Sequence, residues 1–478
     1  MIFSSFSFLV FLVATLAVYS LARTTRERAA VMLAASLVFY ASWRPAYLLL
    51  LGASLAFNYA LYSALQANRS RRLLVLAVVL NLALLGVAKY LAFLVETAFA
   101  LAGIAGLTAP RAAPDWMHWA LPLGVSFYTF HMLSAMFDAC SGVWSKPVSF
   151  ARWCLYVTFF PHLIAGPILR PGQLIDQLGE LQPLEASGFK LGGAIFVGGL
   201  IKKAIIADNL APIADAAYAH PSALGAGAAW IGTLAFAFQI YFDFSGYSEM
   251  AIGLARLFGV QLPRNFLYPY LARNPSDFWR RWHITLSAWL RDYLYIGLGG
   301  SRGSTGRTYV NLMLTMLLGG LWHGASWTFV VWGGLHGAYL VGHRLLVAAL
   351  TRWGLGQTAK AQKALSNVGV PLTFLLVLVT WVFFRAASFG DAWMVLAAMT
   401  GLQDPSSPLA FRRYEMLIVA TAAALAWAEP VILAAFERRG IGFWWRVPYP
   451  LRGVAYAVLT LLIVAFGGAT QKFIYFDF

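Results

Sequence analysis

An ionisable group within a membrane segment is costly and is a functional candidate by default, and three of the histidines lie in unusual company. His323 stands in Gly319-Gly320-Leu321-Trp322-His323-Gly324-Ala325-Ser326-Trp327. His283 stands in Phe278-Trp279-Arg280-Arg281-Trp282-His283-Ile284-Thr285-Leu286-Ser287, and His336 in Trp332-Gly333-Gly334-Leu335-His336-Gly337. The glycines around His323 let backbones approach closely, and the tryptophans beside it wall off water. A neutral imidazole there can act as a general base. The competing role is a histidine hydrogen-bonded between helices for packing, and the residues alone leave the two roles level. For His336, thirteen residues on and on a different helical face, packing is the favoured role. His118, His131, His162, His220 and His343 read as structural or interfacial.

Seven arginines fall between 264 and 307 (Arg264, Arg273, Arg280, Arg281, Arg291, Arg302, Arg307), opposed only by Asp277 and Asp292; Lys202 and Lys203 add charge at another helix end. Guanidinium forks suit phosphate, so a nucleotide-bearing donor such as coenzyme A can dock beside His283. Taken singly, each arginine more simply marks a cytoplasmic loop. Asn274-Pro275 reads as a helix cap and first position, which makes Asp277 a helix-end charge. In the apolar run 238–250, Asp243 and Tyr247 share a helical face. Asp243 is expected to pair with an arginine of the pocket in preference to orienting a histidine. No H-E-x-x-H and no close His/Cys/Asp cluster suggests a metal, and no G-x-S-x-G elbow suggests a serine nucleophile. The loop Gly299–Thr308 departs from a phosphate loop at Ser301 and Arg307.

The elements that must position these residues follow from composition. Of 478 residues, 60% are hydrophobic and 11% charged, against ~45–50% and ~25% in soluble globular chains. So few charges cannot cover a water-facing surface, which excludes a disordered chain, a disulfide scaffold and an ordinary soluble enzyme. The net charge of +16 fits basic cytoplasmic loops better than a nucleic-acid partner, and none is expected. Cys140 and Cys154 read as buried free thiols. Apolar runs near 6–22, 30–50, 52–66, 73–95, 119–139, 150–168, 189–206, 228–256, 309–320, 326–349, 368–387, 413–435 and 452–470 predict about a dozen membrane helices, several too short for a full span. Arg23, Arg26 and Arg28 follow the first run, so the N-terminus is expected outside and 23–28 in the cytoplasm; Arg69, Arg71 and Arg72 keep that register. There is no internal repeat. The chain reads as one membrane-embedded unit over 1–478, with N-terminal helices (1–150), a catalytic core (151–345) and C-terminal helices (346–478). Pro161, Pro167, Pro171, Pro263, Pro269 and Pro275 break the core. Broken backbone at membrane depth needs protein or a water-filled cavity to satisfy it, so the centre reads as a pocket with re-entrant segments.

Taken in order, Tyr241–Ser248, Phe278–His283, Trp289–Tyr295 and Gly319–Gly324, with Phe3-Ser4-Ser5 at one end and Phe473-Ile474-Tyr475-Phe476 at the other, resemble the membrane-bound O-acyltransferase family along the whole chain. The similar branch is the bacterial one that serves alginate O-acetylation and teichoic acid D-alanylation. The resemblance implies an all-α polytopic, ring-like bundle with a thin central partition and a funnel on each side. It maps the family's essential histidine onto His323 and its second prominent position onto His283. Arg280, Arg281 and Trp322 would shape the donor funnel, with Asp243 beside it. It also implies acetyl-CoA as donor substrate with no tightly bound cofactor. The chain would lie in a bacterial inner membrane among lipids, and a periplasmic transferase would finish on alginate, cellulose or peptidoglycan. D-alanine transfer from a carrier-protein thioester is the runner-up, and a polysaccharide or lipid transporter the alternative from another class. Asp477 departs from the Gln usual at that place, which leaves the partner's identity open.

Overall fold

The computed structural model describes the chain except residues 109, 111, 118–121, 356–357, 406, 440–443, 445, 467–472 and 475–478; His118, Tyr475, Phe476 and Asp477 lie outside the described residues. Among the described residues every regular element is helical, as a bilayer demands of open segments that must satisfy their own backbone groups. The protein is a multi-pass, all-helical membrane protein.

The chain opens with α1 (Phe6–Leu21) and α2 (Thr25–Ala41). The side chains of Thr24 and Glu27 cap α2 reciprocally. The apolar run 30–50 is not one span. Pro45 disfavours helix in the residue before it, so α2 ends at Ala41 and α3 (Tyr47–Asn68) starts beyond the proline. α4 (Arg71–Ile104) follows. Among the described residues, four helices are long and apolar enough to cross a membrane, and α3 and α4 are two of them.

Next come α5 (Val125–Ser141), α6 (Phe150–Thr158) and α7 (Pro171–Leu178). The run 150–168 had suggested a span, yet helix stops at Thr158. Residues 159–170 are irregular, and all but the last are buried. Pro161 and Pro167 account for the break. Side chains supply what the helix cannot: Phe160 N–H donates to Ser36 Oγ (3.0 Å), Ile168 N–H to Thr285 Oγ1 (2.9 Å), and the Tyr156 hydroxyl to Leu169 O (2.9 Å). This is the protein-satisfied broken backbone that the prolines predicted.

α8 (Ala186–Leu200) runs through a π-helical turn at Ile201–Ala207 into α9 (Asp208–Ala219). α10 (Ala226–Leu257) is buried around nearly its whole circumference, the signature of a helix enclosed on all sides. It meets α8 backbone to backbone. A Cβ on Gly246 would lie 2.7 Å from Gly199 O, and one on Gly253 2.6 Å from Gly192 O. Glycines seven apart on both helices make this close crossing possible.

The chain then breaks into short pieces: α11 (Pro275–Arg281), α12 (Ile284–Trp289) and a second π turn at Leu290–Tyr295. α13 (Thr305–His323) and α14 (Trp327–Arg352) form an antiparallel pair; a Cβ on Gly320 would lie 3.1 Å from Gly333 Cα. α15 (Ala359–Arg385), α16 (Phe389–Met399), α17 (Arg413–Arg439) and α18 (Tyr449–Phe466) complete the chain. Cys140 and Cys154 are free thiols.

Candidate active site

The α13–α14 pair and the broken segment α11–α12 bring His283, His323 and His336 into one aromatic array, all three buried. His323 ends α13. Its ring centre lies 4.9 Å from that of Trp322 and 4.9 Å from that of Trp332, with Phe384 at 5.4 Å. Trp322 is shared with His283, at 6.3 Å, and Trp332 with His336, at 4.7 Å. His336 also stacks on Phe278 (5.7 Å) and meets the edge of Trp279 (5.0 Å). Sequence reasoning favoured packing for His336; the glycine-mediated α13–α14 crossing brings it to the same cluster as His323.

His283 occupies the break between α11 and α12 with φ 40° and ψ 56°. An L-residue other than glycine rarely adopts this left-handed region, and such strain gathers at functional sites. Neither of its ring nitrogens has a hydrogen-bond partner among the described residues, nor do the buried indole N–H groups of Trp279, Trp322, Trp332 and Trp381. Buried polar groups are rarely left unpaired. So many around one histidine line suit a chamber that receives hydrogen-bond acceptors from outside the chain. His131 and His162 pair elsewhere at 4.5 Å, and His220 is exposed.

Two clefts lie at opposite ends of α14. One, of 440 Å³, is lined by Asn274, Ser276, Arg280, His343, Arg344 and Val347. The other, of 520 Å³, is lined by Phe93, Glu96, Thr97, Ala100, Ala325–Thr328, Ser388 and Phe389. Thr328 and His343 are fifteen residues apart on α14, about 22 Å at 1.5 Å rise per residue. His323 abuts the second cleft in sequence, and His336 lies between the two.

The arginine cluster divides. Arg280 is exposed on the first cleft beside Arg344, which sequence reasoning missed. Arg281 turns to Asp277 (2.9 Å) and does not line that cleft. Asp277 sits in the first turn behind the Asn274 cap, as expected. Asp292 pairs with Arg291 (2.6 Å) and Arg170. Trp322 belongs to the buried array between two histidines, not to the cleft.

Asp243 also departs from expectation. It pairs with Lys203 (2.8 Å) and accepts the Ile474 N–H (2.8 Å). Asp243, Gly246, Glu249 and Gly253 share one face of α10, and the glycines fix that face against α8 and its π turn. Asp243 and Glu249 therefore meet Lys203 and Lys202. Lys202 pairs with Glu249 and Glu429, and Lys203 also with Asp208 (2.8 Å). Both lysines lie inside the bundle, where their sequence position had suggested a helix end.

Residues 141–386 match the membrane-bound O-acyltransferase family. The chain belongs to that family. It is similar to the probable alginate O-acetylases of Azotobacter vinelandii (43% identical over 411 residues, 84% of this chain and 79% of the relative) and Pseudomonas aeruginosa (43% over 408, 84% and 75%). It is 39% identical over 402 residues to a peptidoglycan O-acetyltransferase of Helicobacter pylori, covering 78% of this chain and 73% of that one. This acyltransferase thus carries the family's chemistry on a helical membrane scaffold whose buried histidine array separates two clefts.

Proposed function

We propose that this O-acyltransferase moves acetyl groups from cytoplasmic acetyl-CoA across a bacterial inner membrane for O-acetylation of an extracytoplasmic polysaccharide, of the alginate, cellulose or peptidoglycan kind, through a periplasmic transferase. The observation that carries the reading is the line of buried histidines and tryptophans between two clefts of different chemistry. Relatives named for alginate and peptidoglycan O-acetylation, similar over most of the chain, support acetyl over D-alanyl transfer.

The positive-inside rule puts Arg344 and Arg352, at one end of α14, in the cytoplasm and the N-terminus outside. The cleft holding Arg280 then faces the cytoplasm and offers guanidinium groups to the donor's phosphates. The cleft holding Glu96, Ser326, Thr328 and Ser388 faces outward to the acceptor. A hydrocarbon layer of ~30 Å separates the two substrates, and the proline-broken centre is where the barrier thins. His323 takes the proton of the attacking hydroxyl as its oxygen bonds to the thioester carbonyl carbon. The carbon–sulfur bond then breaks, the proton passes to the leaving sulfur, and free coenzyme A and an acetyl ester result. Unpaired indole N–H donors beside His323 are suited to an oxygen that gains charge. His283 orients the donor or assists proton movement.

The test follows thiol release from acetyl-CoA by purified protein and by His323→Ala, with acetyl ester on the polysaccharide measured in cells with and without the periplasmic transferase. Loss of release in a folded His323→Ala protein supports the reading; equal release overturns it for His323. Activity that needs a carrier protein in place of coenzyme A would indicate D-alanyl transfer.

A further inference from the structure

We propose that Lys89, a lysine inside an apolar span, is a positioning residue that holds His323 by capping the end of its helix. The inference rests on the reading of His323 as the proton acceptor.

α13 stops at His323 because Gly324 leaves the helix in an extended conformation (φ −160°, ψ 152°). The last four carbonyls of a helix have no partner within it. Many helices solve this with a left-handed glycine that folds backbone N–H groups over the end; extended Gly324 provides no such cap. One turn of α4 supplies the donors instead. Lys89 Nζ donates to Trp322 O (2.6 Å) and His323 O (3.0 Å), and the Tyr90 hydroxyl donates to Leu321 O (2.6 Å). Three consecutive carbonyls are thus held from residues more than two hundred positions away in sequence.

A lysine at this depth is expensive, and a neutral donor would meet the need for hydrogen bonding more cheaply. Lys89 Nζ, at the negative end of the α13 dipole, anchors two carbonyls at one point. Those carbonyls belong to the two residues whose side chains matter most. The Trp322 ring sits between His283 and His323, and the His323 ring between Trp322 and Trp332. With both backbones pinned, the imidazole keeps its place relative to an incoming hydroxyl, where an error of about 1 Å can cost roughly 100-fold in rate.

The experiment compares wild type, Lys89→Met, Lys89→Arg, Tyr90→Phe and His323→Ala in detergent, with acetyl-CoA and thiol release as readout, alongside hydrogen–deuterium exchange over residues 320–326. Lys89→Met is expected to lower kcat at least about tenfold while KM for acetyl-CoA stays within about twofold. Exchange should quicken at the end of α13, and Lys89→Arg should recover a good part of both. Unchanged kcat and exchange in folded Lys89→Met overturns the proposal, as does a rise in KM at constant kcat, which would make Lys89 a donor-binding group. If Lys89→Met does not fold, Tyr90→Phe decides: faster exchange at 320–326 with reduced kcat supports the cap, and no change in either overturns it. An active His323→Ala protein overturns the reading of His323 itself. A capping role for Lys89 would still appear in the exchange data.

Discussion

Lys203 is less than 5% exposed and lies 2.8 Å from each of two carboxylates, Asp208 and Asp243, that are equally buried. Replacing it with Met keeps the apolar stem and removes the charge, leaving two carboxylates with no cation between them. Breaking a buried ion pair by removing one partner costs about 3–5 kcal/mol, because the survivor stays desolvated and uncompensated. Two survivors place Lys203→Met at the upper end of that range or above it. Lys146–Asp176, also at 2.8 Å but with side chains 65% and 46% exposed, supplies the control: Lys146→Met should cost no more than about 1 kcal/mol. The assay is unfolding in detergent, followed by tryptophan fluorescence during an SDS titration. A third protein separates lost contact from stranded charge. Lys203→Met combined with Asp208→Leu and Asp243→Leu should recover most of the stability, since apolar replacement of a whole buried ionic group is often neutral or better. The reasoning fails if Lys203→Met is no less stable than Lys146→Met, or if the triple variant is the worst of the three.

His283→Asn should be more stable than His283→Ala by about 1 kcal/mol, because Asn tolerates the left-handed backbone at this position and Ala does not; denaturant midpoints of the two proteins check this. Arg280→Ala should raise KM for acetyl-CoA several-fold, with a weaker salt dependence than wild type. Arg281→Ala, whose partner is Asp277, should leave KM nearly unchanged; initial rates at two ionic strengths distinguish them. Gly246→Ala places a methyl 2.7 Å from Gly199 O and 3.0 Å from Lys202 Cβ, so about 1–3 kcal/mol of destabilisation is expected. Gly227→Ala, at the exposed start of the same helix with nothing within 4 Å, should cost nothing in the same unfolding assay.

What the sequence made legible were features whose cause is local. Asn274-Pro275 forms the expected cap, and Pro161 and Pro167 break the chain where irregular backbone is seen. The Gly-Gly pairs beside His323 and His336 lie where α13 and α14 cross. What stayed hidden depends on which helix packs on which. Asp243 was matched to arginines nearby in sequence, when the face of α10 that carries it is fixed by glycines meeting α8. The signal existed as a shared spacing: Gly192 and Gly199 are seven apart, as are Gly246 and Gly253. Two helices with the same stripe of small residues are natural neighbours. Lys202 and Lys203 on one, with Asp243 and Glu249 on the other, then become paired by position. Lys89 needed only the cost of an ionisable group in lipid, since a lysine inside a 34-residue apolar helix must find acceptors. Inside a membrane each ionisable residue in an apolar run poses the question of its partner, and here the answers are what hold the site. Lys89 holds the end of the His323 helix, and Lys203, through Asp243, holds the central helix against α8.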